Sequence, residues 1–354
     1  MSEEEIAMKA LLLAGGLGTR LRPLTEQLPK PMAPVGNRPW LEHLILQLKE
    51  QGIGEFVITL KHYPELIRSY FGDGSRFGVS IAYTVEEEAL GTAGAIKNAE
   101  HLLGERFLVF NADVIQKVDI LPLIEFHKQH GGSATIGLTR VEDPSQFGVV
   151  DITPSGRILK FIEKPPIGQA PSDLINAGVY LLDRQVLSLI PAGREVSIER
   201  ETFPLLIQQG LGAYGCHMRG YWLDMGTRER YRKVHWDILD RTFPLPIAGH
   251  EQSRGIWVGE ECVIGSGVLL IPPVLIGDRV HIGDKAIIGP NTVIGNDCRI
   301  EREARLSETI LWDKCRVSRG AQLYQCVFGY EAEAGSGHVL YEAVVNRMKE
   351  AMTV

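Results

Sequence analysis

Several features of membrane, secreted and nucleic-acid-binding proteins are missing from this sequence of 354 residues. No apolar run approaches the roughly 20 residues that span a bilayer, and the acidic start, Met1 to Glu5, does not resemble a targeting peptide. The five cysteines include no CxxC pair, which favours reduced thiols over a disulfide or zinc framework. The net charge of −7 is spread along the chain without a basic patch. These absences predict a cytoplasmic globular protein that binds neither nucleic acid nor membrane.

Short buried-strand patterns alternate with amphipathic helix patterns from Met8 to about Asp240. Ala10–Ala14 is a continuous apolar run that ends in glycines, and the apolar residues between Leu41 and Leu48 share one helix face. The alternation continues to a helix pattern at Ile120–His130. This order predicts an α/β fold, a Rossmann-like, mostly parallel sheet with helices on both faces. In such a sheet the ligand binds beyond the carboxyl ends of the strands.

From Val258 the period of the sequence changes to six residues. Apolar residues stand at ten successive positions spaced six residues apart, the last at Trp312, and a glycine directly follows six of them. This hexapeptide pattern predicts a left-handed parallel β-helix whose apolar residues point to the axis. We therefore expect a catalytic domain over residues 1–241, a linker over 242–251 and a β-helix domain over 252–354. Within the last domain, Val339–Met352 is a candidate for a short capping helix.

A glycine-rich loop, Gly15 to Gly18, follows the first predicted strand. Backbone N–H groups in such a loop can approach a phosphate closely. The loop is not the dinucleotide fingerprint, which needs a glycine where Leu21 stands, and it lacks the Gly-Lys pair of a Walker loop. Arg20, Arg22 and Lys30 follow within twelve residues of the loop, so phosphate binding is favoured over a plain tight turn.

These motifs together resemble the sugar-1-phosphate nucleotidylyltransferases. Gly15–Leu21, followed by Leu28–Met32, is similar to the signature of that family. The resemblance covers nearly the whole chain and is closest to the mannose-1-phosphate guanylyltransferases, partly through Ser197–Pro204. It includes further motifs at Gly91–Gly94, Asn111–Asp113, Phe147–Val150, Glu163–Pro165, Asn176–Gly178 and Trp222–Thr227.

The resemblance implies that a nucleotidyl group passes from a nucleoside triphosphate to a sugar 1-phosphate, with release of pyrophosphate. GTP and mannose 1-phosphate are the expected substrates. The attacking phosphate oxygen is already an anion, so catalysis consists of positioning and charge neutralisation. Arg20 would neutralise the triphosphate, and Lys30 would reach the α-phosphate and the sugar phosphate. Asp113 and Asp224 would hold Mg²⁺, which prefers one or two carboxylates beside phosphates and water.

The resemblance also assigns two groups of binding residues. The sugar-phosphate group is Gly148, Glu163, Lys164, Asn176 and Gly178. Glu86 is selected on chemical grounds, because guanine presents adjacent N1–H and N2–H₂ donors that one carboxylate can accept; a solvated turn is the alternative. With Glu86, the nucleotide group is Leu13, Ala14, Gly15, Gly16, Gly18, Thr19, Gly91 and Thr92, of which Thr92 is also a candidate helix N-cap.

Three alternatives remain open from the sequence. The first is a glucose-1-phosphate thymidylyltransferase or uridylyltransferase. The second is a silent regulatory paralogue that binds nucleotide sugar, although both catalytic cations and both metal carboxylates are present. The third is acyl transfer by the hexapeptide region, where His281 has no evident partner. Because β-helix coils often mediate assembly, we also expect a homo-oligomer.

Overall fold

The computed structural model describes residues 8–16 and 18–346, and the chain divides into two compact units. The first unit comprises residues 1–17, 29–31 and 41–224, and the second comprises 18–28, 32–40 and 225–354. The predicted boundary at residue 241 follows the order of the sequence. The two units are instead defined by contacts in space. These contacts group two short N-terminal segments, and the helix that precedes residue 241, with the hexapeptide region.

The described helices are short. The α-helices are α1 (Trp40–Glu50), α2 (Pro64–Phe71), α3 (Gly91–Asn98), α4 (Leu121–His130), α5 (Phe203–Gln208) and α6 (Arg228–Leu239). A π-helix spans Ile198–Thr202. The 3₁₀ turns are Thr19–Leu21, Lys30–Met32, Ser75–Phe77, Glu100–Leu102, Pro144–Gln146 and Arg184–Leu189. None of the described helices is both long and apolar enough to cross a membrane.

The strands of the first unit are β1 (Lys9–Leu13), β4 (Glu55–Leu60), β5 (Ser80–Val85), β6 (Arg106–Asn111), β7 (Val114–Gln116), β8 (Ala134–Arg140), β9 (Gly148–Ile152), β10 (Ile158–Glu163), β11 (Leu174–Asp183), β12 (Ala213–His217) and β13 (Trp222–Asp224). Nine of these described strands form one sheet, in which β5, β4, β1 and β6 are adjacent and parallel. Strand β11 pairs antiparallel with β6 and leads to the remaining strands of the sheet. A separate antiparallel pair joins β7 and β13.

The central strands are buried because both faces of the sheet are covered. Leu11 and Leu12 of β1 and Phe107 of β6 are fully buried, as continuous apolar runs require. The predicted α/β fold is confirmed, with element ends shifted by one or two residues. Because β1, β4, β5 and β6 are parallel, the residues that follow them meet at one edge of the sheet.

The second unit contains the parallel strands of the predicted β-helix, arranged in three sheets. The register pairs Val258 with Ile276 and Ile276 with Ile294, so one coil takes three hexapeptides. The strands, after the hairpin of β2 (Pro34–Val35) and β3 (Arg38–Pro39), are β14 (His250–Ser253), β15 (Ile256–Val258), β16 (Val263–Ile264), β17 (Leu269–Leu270), β18 (Val274–Ile276), β19 (His281–Ile282), β20 (Ile287–Ile288), β21 (Thr292–Ile294), β22 (Arg299–Ile300), β23 (Arg305–Ser307), β24 (Ile310–Leu311), β25 (Arg316–Val317), β26 (Gln322–Tyr324), β27 (Val327–Phe328), β28 (Glu333–Ala334), β29 (Val339–Tyr341) and β30 (Val344–Val345).

Two details of the hexapeptide prediction are wrong. The register pairs Ile294 with Leu311 and not with Trp312, because the repeat that begins at Leu306 has five residues. The predicted helix at Val339–Met352 is replaced, as far as residue 346, by β29 and β30, which pair with the preceding coil. Residues 347–352 of that prediction lie outside the described part of the chain.

The glycines of the hexapeptides have a steric cause. The residue after the corresponding glycine of the next coil is often Asp or Asn, and its side-chain oxygen accepts a backbone N–H of the coil before it. Asn296 Oδ1 accepts the N–H of Asp278 at 2.8 Å in this way. A Cβ atom on Gly277 would lie 2.7 Å from the same Asn296 oxygen, so a larger residue does not fit.

Segments of the second unit that precede residue 241 are hydrogen-bonded to the coils. The Tyr231 hydroxyl of α6 is fully buried, donates to Pro34 O at 2.5 Å and accepts from Trp312 Nε1 at 2.8 Å. Asn346 Nδ2 donates to Pro23 O at 3.0 Å. Trp312, displaced from the axis by the shortened repeat, therefore serves as a contact between the coils and α6.

Candidate active site

A cavity of about 420 Å³ lies at the carboxyl edge of the parallel strands in the first unit. It is formed by residues that follow β1, β4 and β5 and by the first turn of α3. Leu13 at the end of β1 lies in its wall with Gly15 and Gly16 of the glycine-rich loop, and Gly91 and Thr92 contribute from the start of α3. The remaining lining residues are Pro31, Thr59, Lys61, His62, Glu86, Ala89, Ala95, Asn111, Asp113 and Glu195.

Glu86 places a buried carboxylate in this cavity. It is 8% exposed, and its Oε2 accepts the N–H of Leu90 at 3.0 Å. Burial raises the pKa of the Glu86 carboxyl, while the Leu90 hydrogen bond and the charge of Lys61 oppose that rise. A Cβ atom on Gly15 would lie 3.0 Å from Glu86 Oε1, so glycine allows the carboxylate to lie against the loop. The solvated turn that was the alternative for Glu86 is therefore wrong.

A segment that begins at Glu195 packs against the N-terminus of α3. Gly91 has a φ of +68°, and a Cβ atom there would lie 2.6 Å from Val196 O. Thr92 is not the N-cap, because the helix begins one residue before it. Its hydroxyl instead donates to Glu199 Oε2 and accepts from the Ile198 N–H, both at 2.8 Å.

Lys30 joins the two carboxylates that were predicted to hold metal. Its Nζ lies 2.9 Å from Asp113 Oδ2 and 3.4 Å from Asp224 Oδ1. Asp113 follows β6, while Asp224 ends β13, which pairs with β7 just beyond Asp113. The side chain of Lys30 is only 5% exposed, so the ammonium is held between two acids rather than solvated.

The two converging carboxylates fit a hard divalent cation that keeps phosphate and water as its other ligands. The described residues contain no cluster of three or more His, Cys, Asp or Glu side chains placed to hold a metal. The assignment of a divalent cation to Asp113 and Asp224 stays a prediction.

Among the predicted sugar-phosphate residues, Gly148 begins β9 and pairs with Glu163 at the end of β10, while Asn176 and Gly178 lie within β11. A Cβ atom on Gly148 would lie 2.8 Å from Glu163 Oε2. Burial first, and then the charge of Glu199, raise the pKa of the Glu163 carboxyl, while Lys164 and Arg200 oppose the rise. Lys164 is exposed, with a φ of +49°.

The side chain of Asn176 and the N–H of Gly178 form hydrogen bonds within β11. Asn176 Oδ1 accepts the Gly178 N–H at 2.9 Å, and its Nδ2 donates to the Tyr180 hydroxyl at 2.8 Å. Gly178 has a φ of +75°, and a Cβ atom there would meet Asn111 at 3.0 Å. These contacts shape the turn, and direct sugar binding by Asn176 and Gly178 stays a prediction.

The cavity lining does not include four other predicted residues, Ala14, Gly18, Thr19 and Arg20. Ala14 is buried and donates its N–H to Thr59 O at 3.2 Å. Gly18, Thr19 and Arg20 belong to the second compact unit, where Gly18 O accepts the Thr25 hydroxyl at 2.8 Å. The assignments of Ala14, Gly18 and Thr19 to the nucleotide site and of Arg20 to catalysis stay predictions.

Sequence reasoning missed Glu199 and Lys61. Glu199 accepts from Thr92, as above, from the Ser197 hydroxyl at 2.9 Å and from the Tyr180 hydroxyl at 3.5 Å. Its segment, Ser197–Pro204, was noted only for its resemblance to the mannose-1-phosphate guanylyltransferases. Lys61 follows β4 directly, and its position after a strand parallel to β1 was the signal available in the sequence.

Comparison with known proteins matches residues 9–241 to the family described as Nucleotidyl transferase and residues 270–348 to the GMPPB C-terminal domain. A mannose-1-phosphate guanylyltransferase of Mycobacterium tuberculosis is 40% identical over 271 residues, which are 76% of this chain and 74% of the relative.

Two crystal structures are similar to the chain. One is a protein from Bacillus anthracis, assigned as a glucose-1-phosphate thymidylyltransferase and solved in complex with sucrose. Its TM-score is 0.60 and its identity is 32%, with 68% of this chain and 98% of that one covered. The other is HddC from Yersinia pseudotuberculosis complexed with GMP-PN, with a TM-score of 0.56 and 28% identity over 64% and 97%. This chain therefore belongs to the nucleotidyl transferase family and is a sugar-1-phosphate nucleotidylyltransferase.

Proposed function

We propose that the enzyme transfers a guanylyl group from GTP to mannose 1-phosphate, giving GDP-mannose and pyrophosphate. The observation that carries this proposal is the buried carboxylate of Glu86 in the cavity. A carboxylate accepts the adjacent N1–H and N2–H₂ groups of guanine, whereas uracil and thymine have an acceptor in place of N2. The name of the Mycobacterium tuberculosis relative supports the same pair of substrates.

The chemical step needs no general base, because an anionic oxygen of the sugar phosphate attacks the α-phosphorus. Lys30 would neutralise charge on the transferring phosphate, and Arg20 would neutralise the departing pyrophosphate. Both actions require that the two polyanions are well oriented. Lys30 is suited to this because Asp113 and Asp224 fix the position of its ammonium. A Mg²⁺ ion held by Asp113 and Asp224 would supply further stabilisation of the phosphate charges.

Glu163 and Lys164 would bind the sugar phosphate. Carboxylates accept hydrogen bonds from sugar hydroxyl groups, and the exposed ammonium of Lys164 suits a phosphate. The missing side chain of Gly148 leaves room for Phe161 and Glu163 beside it, so Gly148 would act by allowing Glu163 to reach the sugar. A homo-oligomer and a cytoplasmic location belong to the same proposal and rest on the sequence.

A second candidate is a glucose-1-phosphate thymidylyltransferase, which the name of the Bacillus anthracis structure favours. The test is pyrophosphate release with GTP, ATP, UTP and dTTP, each combined with mannose 1-phosphate and glucose 1-phosphate in the presence of Mg²⁺. We expect GTP with mannose 1-phosphate to give the highest kcat/KM. Preference for dTTP or UTP would replace the guanylyl assignment, and no turnover with any pair would favour the silent regulatory paralogue.

A further inference from the structure

Lys61 lies in the same cavity as Glu86 but has no role in the functions described so far. Lys61 and Glu86 follow the neighbouring parallel strands β4 and β5 directly after their carboxyl ends. Gly15, which follows β1, lies against both. A Cβ atom on Gly15 would be 3.0 Å from Glu86 Oε1 and 3.4 Å from Lys61 Cβ. The ends of three adjacent strands therefore bring an ammonium and a carboxylate to one wall of the cavity.

The two charged groups are neighbours but do not form an ion pair. Glu86 uses Oε2 to accept the Leu90 N–H, while its Oε1 faces Gly15. Among the described residues, Lys61 Nζ forms neither a hydrogen bond nor an ion pair, although its charge acts on Glu86. The wall thus offers the cavity a hydrogen-bond donor beside an acceptor.

An orphan hydroxyl supports the presence of a polar ligand at this wall. Thr59 is 1% exposed and lines the cavity, and its Oγ1 has no hydrogen-bond partner within the described residues. Thr59 precedes Lys61 by two positions, so both side chains project to the same face of the sheet. Buried hydroxyl groups are normally hydrogen-bonded, which favours a ligand with polar atoms here.

We propose that Lys61 determines base specificity by donating a hydrogen bond to O6 of guanine, beside the contact of Glu86 with N1–H and N2–H₂. This inference rests on the proposed function, because it concerns how the same cavity selects GTP. Lysine commonly donates to O6 and N7 of guanine. Adenine has an amino donor at the position of O6, so the ammonium disfavours ATP. Uracil and thymine have an acceptor at the position of N2, so the carboxylate disfavours UTP and dTTP.

The test changes single atoms of the nucleotide. The probes are GTP, 6-thioguanosine triphosphate, which has sulfur in place of O6, and inosine triphosphate, which lacks the 2-amino group. We expect the wild type to favour GTP over the 6-thio analogue by about tenfold in kcat/KM. Lys61→Met should bring that ratio close to one and leave the ratio of GTP to inosine triphosphate unchanged. Glu86→Gln should do the reverse.

Two further variants control the experiment. Lys61→Arg keeps a donor and should retain most of the preference for GTP over the 6-thio analogue. Lys128→Met removes a positive charge from the exposed surface of α4 and should leave all three nucleotides unchanged. Thermal unfolding of each variant shows whether the fold is intact.

An equal loss for all three nucleotides in Lys61→Met would overturn the inference, because Lys61 would then act on the triphosphate or on stability. Unchanged kinetics in Lys61→Met would overturn it as well. Failure of the proposed function is visible in the wild type alone, as preference for UTP or dTTP over GTP. The two failures are therefore distinguishable.

Discussion

At the scale of single residues, Lys30, Asp113 and Asp224 form the most constrained cluster of the candidate site. We expect Asp113→Asn and Asp224→Asn each to lower kcat on the order of 100-fold or more, because each removes a negative charge that would hold a divalent cation. Asn is nearly isosteric with Asp, so the fold should persist, but the unfolding temperature should fall because the buried Lys30 ammonium loses one of its two acidic partners. The measurement is pyrophosphate release as a function of Mg²⁺ concentration. If either variant has the kinetics of the wild type, that residue is not part of the site.

Glu86 gives a prediction that depends on pH. Burial raises the pKa of Glu86, so the carboxylate becomes neutral at a higher pH than an ordinary glutamate. A neutral carboxyl offers a donor and accepts guanine less well. We therefore expect the ratio of kcat/KM for GTP to that for dTTP to fall as pH decreases through the raised pKa.

Glu86→Gln is the matched variant for that experiment. It should lower kcat/KM for GTP by about 1–3 kcal/mol, because one charged contact to the base is lost, and dTTP should be little affected. Its ratio of GTP to dTTP should no longer vary with pH. A wild-type ratio that stays constant from pH 5 to 8 would contradict this role of Glu86.

The same residues indicate how much of the site was predictable. Glu86 was found because a carboxylate suits the donors of guanine and stands five residues before Gly91, and Asp113 because it follows a strand within a family motif. Glu199 was missed because it lies in a π-helix between other elements, and only folding brings it to Thr92. Thr92 looked like an N-cap in sequence, but Gly91 takes a positive φ and the helix starts there.

At the scale of elements, the hexapeptide coils were predictable until the repeat changed length. A period of six allowed Leu311 or Trp312 at the axis because both are large and apolar. Continuing from Trp312 places Ser318 at the axis, whereas continuing from Leu311 places Val317 there. The structure follows the second course and pairs Ile300 with Val317. The burial preference of downstream residues was thus the signal for the shortened repeat.

The stacked coils predict a specific cost for enlarging a glycine. In Gly277→Ala, the new Cβ would lie 2.7 Å from Asn296 Oδ1 and 2.9 Å from the Asn296 backbone N. The coil must then shift or lose a hydrogen bond, so the free energy of unfolding should fall by about 1–3 kcal/mol. Gly54→Ala is the control, because no atom lies within 4 Å of its added Cβ. Equal unfolding midpoints in denaturant for the two variants would contradict the steric explanation.

At the scale of the whole molecule, the sequence and the contacts suggest different boundaries. The sequence predicts that residues 1–241 form a domain with its own core. In the structure, α6 belongs with the coils, and the Tyr231 hydroxyl contacts both Pro34 O and Trp312 Nε1. A chain that ends at Asp240 would retain Tyr231 and Pro34 but lose Trp312, and it would also lose the Asn346 contact to Pro23.

We expect a chain ending at Asp240 to unfold at a clearly lower temperature than the full chain, because the apolar face of α6 loses the coils that cover it. A chain ending at Asn346 is the control, since it keeps every contact described above. Tyr231→Phe in the full chain isolates the polar part of the loss. It should lower the free energy of unfolding by about 1–3 kcal/mol, because Pro34 O and Trp312 Nε1 lose a buried partner. If the chain ending at Asp240 unfolds cooperatively at the temperature of the full chain and retains its kcat, the sequence-based boundary at residue 241 is the functional one.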